Sequence, residues 1–148
     1  MCTKTELGVP ERGTRGSRQD AGVTATVQCV VLDCVDDQEL ARFYHALLGG
    51  EVNRPDRRWS LGHGWSTLHL PGGFVLCFQR VDDYRPPRWP DPQYPQQSHL
   101  DLGVPDLAAT GREAVAAGAT LLDDSHSSWH VYADPAGHPF CLVREAAG

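Results

Sequence analysis

Thiols, imidazoles and carboxylates are the groups in this chain with chemistry to offer, and several of them recur in a pattern. The sequence holds five cysteines and seven histidines. Cys77 and Cys141 sit at the same offset in two similar stretches, WSTLHLPGGFVLCFQ from Trp65 and WHVYADPAGHPFCLV from Trp129. Cys29 and His99 hold equivalent places ahead of Asp36 and Asp106. Three thiolates and one imidazole make a tetrahedral zinc set, and a closed Cys3His centre of that kind is structural rather than catalytic. A thiol beside an imidazole, Cys141 or Cys77 with His130 or His99, is instead an activated nucleophile. Asp33 and Asp101 are the carboxylates placed to move protons, with His99 as partner. A plainer physical reading stands beside each of these. A strand cysteine is a small buried hydrophobe, and a rim carboxylate is solvated or paired with an arginine. The spacing is not that of a zinc knuckle, so no metal or other cofactor is expected. The alternative is a divalent ion, zinc, on Cys29, Cys77, His99 and Cys141.

The elements that must position these groups are written twice. Residues 26–50 read as a strand followed by a helix, and residues 98–119 repeat that order. Leu40, Phe43, Tyr44, Leu47 and Leu48 form the i, i+3, i+4, i+7, i+8 stripe of an amphipathic helix. Asp36 is placed to cap it and Gly49 to stop it; Asp106 and Gly118 bracket an Ala-rich counterpart. Three strand candidates follow each helix: Gly50–Arg54, about Trp59–Leu70 with a break at Gly62–Gly64, and Phe74–Val81; then Thr120–Asp123, Trp129–Ala133 and Pro139–Arg144. LPGG and DPAG join the last pairs as hairpins. The expected fold is α+β, two βαβββ modules forming a cup-shaped, eight-stranded mixed sheet or half-barrel with the helices outside. A lone βαβββ unit leaves one sheet face uncovered, and a second copy gives that face something to curl against.

Residues 1–25 carry almost no large apolar side chain and are expected to be a flexible tail. Residues 26–145 are then one domain, with modules 26–81 and 97–145 joined by a Pro-rich linker, 82–96.

Strand side chains alternate between faces. That parity sends Val30, Leu32, Leu76, Phe78, Leu100, Leu102, Phe140 and Leu142 under the helices. Cys29, Asp33, Cys77, Gln79, His99, Asp101 and Cys141 then face the hollow, with Ser66 and His130 expected near Cys77 and Cys141. Aromatic walls with a few polar groups are how small-molecule sites are built. The candidate ligand-binding set is Asp33, Trp65, Gln79, His99, Asp101, Trp129, His130 and Tyr132, and the candidate catalytic pair is His99 with Asp101.

Composition excludes several classes. A net charge of −6 argues against a nucleic-acid-binding surface. No run approaches the ~20 apolar residues of a membrane span, and no secretion signal is evident. Sparse cysteines without a dense pattern suggest reduced thiols in the cytoplasm. No phosphate-cradling glycine loop and no Gly-x-Ser-x-Gly elbow occurs.

The paired modules, FYHALLGG, HLDLGVPDL and DPAGHPF together resemble the vicinal oxygen chelate superfamily, the glyoxalase I, bleomycin-resistance and extradiol-dioxygenase group, and within it the bacterial glyoxalase-like domains. The resemblance spans about residues 26–145. It implies that the first and last strands of each half carry the metal ligands of metal-dependent members, usually His, Gln or Glu. Here only His99 keeps a usual ligand type. Cys29, Cys77 and Cys141 replace the others, Cys141 standing where a DPxGxxxE ending would carry its carboxylate; hard divalent metals prefer oxygen and imidazole. The expected function is binding of a small, partly aromatic, antibiotic-like molecule in the cup without the usual catalytic metal. The alternatives are a lyase, isomerase or hydrolase using His99 and Asp101, metal-assisted or not, and a Cys3His zinc-stabilised domain. A homodimer is implied by the resemblance alone.

Overall fold

Two short helices each lie between a first strand and three further strands. The computed structural model describes residues 25–59 and 62–145; the expected tail, up to residue 24, falls outside them. The elements are β1 (Val30–Cys34), α1 (Asp37–Leu48), β2 (Glu51–Val52), β3 (Trp65–His69) and β4 (Val75–Arg80), then β5 (Leu100–Val104), α2 (Leu107–Ala117), β6 (Thr120–Asp123), β7 (Trp129–Ala133) and β8 (Pro139–Arg144). They form two four-stranded sheets, ordered β1-β4-β3-β2 and β5-β8-β7-β6. In each, the first strand runs parallel to the last and the other pairs are antiparallel. The fold is therefore α+β, built from two βαβββ modules. Among the described residues the sheets are not joined by a ladder and do not close into a barrel.

Local chemistry sets the helix ends. The Asp36 carboxylate accepts from the Gln38 and Glu39 amides at 3.0 and 2.9 Å, satisfying donors that have no partner inside the helix. Asp106 does the same for Ala109 at 2.9 Å. Gly49 and Gly118 end the helices at φ of 67° and 118°, a region open to glycine at little cost. The third strand is shorter than the sequence suggests. Asp56 accepts from the Arg58 amide at 2.9 Å, and its carbonyl from the Trp59 amide at 3.2 Å. This side-chain turn curls the chain and takes Trp59 out of the sheet. Among the described residues of this segment, Gly62 bridges back to Trp65.

One core serves both modules. Tyr44 of α1 stacks on Phe78 of β4 at 5.6 Å and meets Phe140 of β8 edge-on at 6.4 Å. Phe43 reaches Phe140 at 5.8 Å, and Tyr132 stacks on Phe140 at 5.7 Å. Leu32, Cys34, Leu68, Leu76 and Leu142 complete this cluster. Each large side chain buried here contributes about 1.5–3 kcal/mol. The expected assignment of Leu32, Leu76, Phe78, Phe140 and Leu142 to the helix side is what the core contains. Because α1 packs between the two inner faces, the opposite face of each sheet turns away from the other.

Candidate functional site on the outer sheet faces

The outer face of the second sheet carries Asp101 and Gly103 of β5 with His99 just ahead of that strand, Cys141 and Val143 on β8, and Trp129 and Val131 on β7. His99 Nε2 lies 3.4 Å from Asp101 Oδ1, with side chains 42% and 63% exposed. The ligand atoms of His99, Asp101 and Cys141 all fall within 4.8 Å of one another. Burial pushes the Cys141 thiol up to about 11, helped by the Asp101 charge and by a hydrogen bond to that carboxylate. Near neutral pH Cys141 is therefore a thiol, not a nucleophilic thiolate. Trp129 stacks with His126 at 4.1 Å, interplanar angle 19°. The Glu145 carboxylate rests over Gly103, where a Cβ would come within 2.6 Å of Oε1.

The outer face of the first sheet is different. Register sets Trp65, Thr67 and His69 of β3 beside Gln79, Cys77 and Val75 of β4, with Val31 and Asp33 of β1 opposite Cys77 and Gln79. The Cys77 thiol is raised well above its ordinary value by burial and then by its hydrogen bond with Cys29. Residues 54–59 fold over this face. Arg58 clamps Asp56 through contacts of 2.6–3.1 Å, which hold Asp56 down to about 2. The same guanidinium lies 4.3 Å over the Trp59 ring, and Trp59 meets His69 edge-on at 5.7 Å. Beneath it Thr67 and His69 are only 1% and 3% exposed. Thr67 Oγ1, both His69 ring nitrogens and Trp65 Nε1 are buried without a hydrogen-bond partner among the described residues. A buried polar group left this way costs about 1–3 kcal/mol. Desolvation, then Arg54, lowers the His69 pKa, so the imidazole is neutral.

The sequence-derived candidates thus divide into three groups. Asp33, Trp65 and Gln79 lie on the outer face of the first sheet. His99, Asp101 and Trp129 lie on that of the second. His130 and Tyr132 share neither: they pair with Leu142 and Phe140 on the helix side, and Tyr132 packs in the core under Gly111 of α2. Thr67 and Val131, rather than Ser66 and His130, stand opposite Cys77 and Cys141. The hairpins explain this, since pairs Leu70/Phe74 and Asp134/His138 enclose an odd number of loop residues. Parity in the hairpins is then one residue from the expected register.

The four-residue set Cys29, Cys77, His99 and Cys141 is not gathered within the chain. Cys29 and Cys77 touch on one sheet, and His99 and Cys141 meet on the other with Asp101. A Cys3His zinc centre therefore does not fit inside one chain. An imidazole, a carboxylate and a thiol do fit a zinc-like ion and leave it an open position, provided Cys141 loses its proton.

Sequence reading missed His69, whose place on the outer face follows from alternation with Trp65. It also missed His138. Its Nδ1 lies 2.9 Å from the buried Asp134 carboxylate and its Nε2 3.1 Å from the Tyr84 hydroxyl. Tyr44 donates to the same carboxylate at 2.9 Å, so this network fastens α1 to the β7–β8 turn.

The chain belongs to the glyoxalase-like domain family, whose model matches residues 29–143, and so to the vicinal oxygen chelate superfamily. Among solved structures it is similar to a glyoxalase/bleomycin resistance protein/dioxygenase family enzyme from Burkholderia phytofirmans PsJN: 17% identity, TM-score 0.60, over 81% of this chain and 98% of that one. A glyoxalase-related enzyme from Fulvimarina pelagi gives 21% identity and TM-score 0.56 over 81% and 88%. The fosfomycin resistance protein FosX from Mesorhizobium loti gives 8% identity and TM-score 0.61 over 84% and 94%. At these identities the likeness shows a shared fold. No curated protein matches the chain significantly in sequence. Among the described residues, no helix is long and apolar enough to cross a membrane.

Proposed function

We propose that this glyoxalase-like protein captures a small, partly aromatic organic molecule on the outer faces of its sheets, without a resident catalytic metal. The observation that carries this reading is the second sheet's outer face. It presents a stacked Trp129–His126 plate, the Trp 39% exposed, in the same surface as His99 and Asp101. Such a face offers stacking area with directional hydrogen bonds. Asp33, Gln79 and Trp65 form the complementary wall on the first sheet. Within one chain the two walls face apart, and β1 and β5 are both sheet edges. A homodimer that sets β1 of one copy beside β5 of the other brings the walls together as a cup. The free thiols Cys29, Cys34, Cys77 and Cys141 suit a reducing, cytoplasmic setting.

A thermal-shift screen of aromatic antibiotics and 2-oxo compounds tests this through linkage. A ligand that raises Tm, and loses that effect on Trp129→Ala and on His99→Ala, is expected. A chain that is monomeric by light scattering and insensitive to every compound refutes it.

The His99, Asp101 and Cys141 cluster favours a second reading, an enzyme of the lyase, isomerase or hydrolase type. Asp101 would hold or take a substrate proton and His99 would return it. Alternatively, a divalent ion held by the three side chains would take the place of that proton relay and supply Lewis-acid polarisation of a substrate oxygen. Metal analysis of the purified protein, with His99→Ala and Cys141→Ser as controls, separates the two readings. Turnover abolished by His99→Ala, with the fold retained, favours the enzyme.

A further inference from the structure

The row Trp65, Thr67 and His69 lies outside the hydrophobic core cluster. These residues sit at i, i+2 and i+4 of one strand, on the face opposite Leu68, and every side-chain polar atom they place there is buried and without a partner among the described residues. Folded proteins satisfy the large majority of such atoms, from the protein or from what binds it. Three neighbouring exceptions on one strand face point to a partner that arrives from outside.

The donor inventory describes that partner. An indole nitrogen only donates, a hydroxyl donates or accepts, and a neutral imidazole donates from one nitrogen. Arg54 and Arg58 are the cations whose charge reaches His69, against Glu51 and Asp56. Arg58 is committed to Asp56 by its clamp, which leaves Arg54 as the cation without a carboxylate partner among the described residues. A surface with three donors and a cation beside them matches an anionic, oxygen-rich group.

We propose that Trp65, Thr67 and His69 are the recognition edge for a carboxylate on the captured molecule, which makes the ligand an organic acid. This rests on the outer-face reading above and narrows it to a ligand class. Trp59, seated on His69, is the side chain the carboxylate displaces.

Isothermal titration of the full chain with succinate and benzoate, against succinamide and benzamide as uncharged counterparts, tests this. At least one acid is expected to bind tenfold or more tightly than its amide, and to weaken fivefold or more on Thr67→Val and on Trp65→Phe. Thr67→Val removes a hydroxyl that has no partner in the free protein, so its Tm should stay level or rise while binding falls. A purely structural threonine would not separate these two readouts. Equal binding of acid and amide, no binding of either acid, or binding indifferent to both substitutions overturns the proposal. A neutral aromatic ligand whose binding depends on Trp129 but not on Thr67 would leave the outer-face reading intact and remove only this edge.

Discussion

Replacing Asp134 with alanine should unfasten the second module from α1. The Asp134 carboxylate accepts from the Tyr44 hydroxyl, His138 Nδ1 and the backbone amides of Ala136 and His138, each at 2.9 Å. Tyr44 is 1% exposed, so its hydroxyl has no water to turn to. Hydrogen bonds to a charged group contribute about 1.5–3 kcal/mol each. The two amides lie in a half-buried turn and can recover solvent, so the four do not sum. Breaking a buried network of this kind costs about 3–5 kcal/mol. At about 2–4 °C per kcal/mol for a chain of this length, Tm should fall by about 6–20 °C. Urea denaturation with an unchanged m-value is the assay. Tyr44→Phe removes one of the four bonds and should cost about 1–2 kcal/mol. The double variant should cost less than the sum, because both substitutions remove the same Tyr44–Asp134 bond. A loss below about 1 kcal/mol for Asp134→Ala, or strict additivity, refutes the idea that this carboxylate joins the modules.

Gly50→Ala should lose about 2–4 kcal/mol, because its φ is +88° and a Cβ would lie 2.6 Å from the His69 carbonyl oxygen, a backbone atom that cannot swing aside; wild-type stability in urea would contradict this. Alkaline pH should destabilise the fold. Burial raises Cys34 to about 12 and Cys141 to about 11, so the unfolded chain releases these protons first. Stability is full below about pH 8.5 and falls by up to about 1.4 kcal/mol per thiol per pH unit as pH climbs through the folded values. Cys34→Ala should flatten that slope, and a profile level from pH 8 to pH 11, both approximate bounds, would contradict it. Asp101→Asn removes the charge that helps hold Cys141 protonated. Its alkylation by iodoacetamide near pH 8, read by mass spectrometry, should quicken severalfold; an unchanged or slower rate points to burial alone.

Much of the architecture was legible from local pattern. The stripe Leu40, Phe43, Tyr44 marks α1, and Asp36, Asp106 and Gly118 mark helix ends, because capping is decided within a few residues. The β1, β4, β5 and β8 face assignments followed from alternation alone. What misled was register. Ser66 and His130 were expected beside Cys77 and Cys141, but a single residue of loop length decides which face a hairpin partner takes. Trp59 was expected on a strand, but the Asp56–Arg58 turn overrides its β propensity.

The amino-acid sequence by itself determined that the chain contains the same βαβββ unit twice, with Cys29 and Cys77 on one sheet face and His99, Asp101 and Cys141 on the equivalent face of its copy. These are consequences of short-range spacing, which every strand and helix must obey. Only the tertiary structure decided how the copies are mounted. Tyr44 and Phe43 bury themselves between Phe78 and Phe140, and Asp134 fixes that contact, so the helix sides merge and the two polar faces point apart. That choice belongs to long-range packing, where the largest apolar area is removed from water, and no local pattern records it.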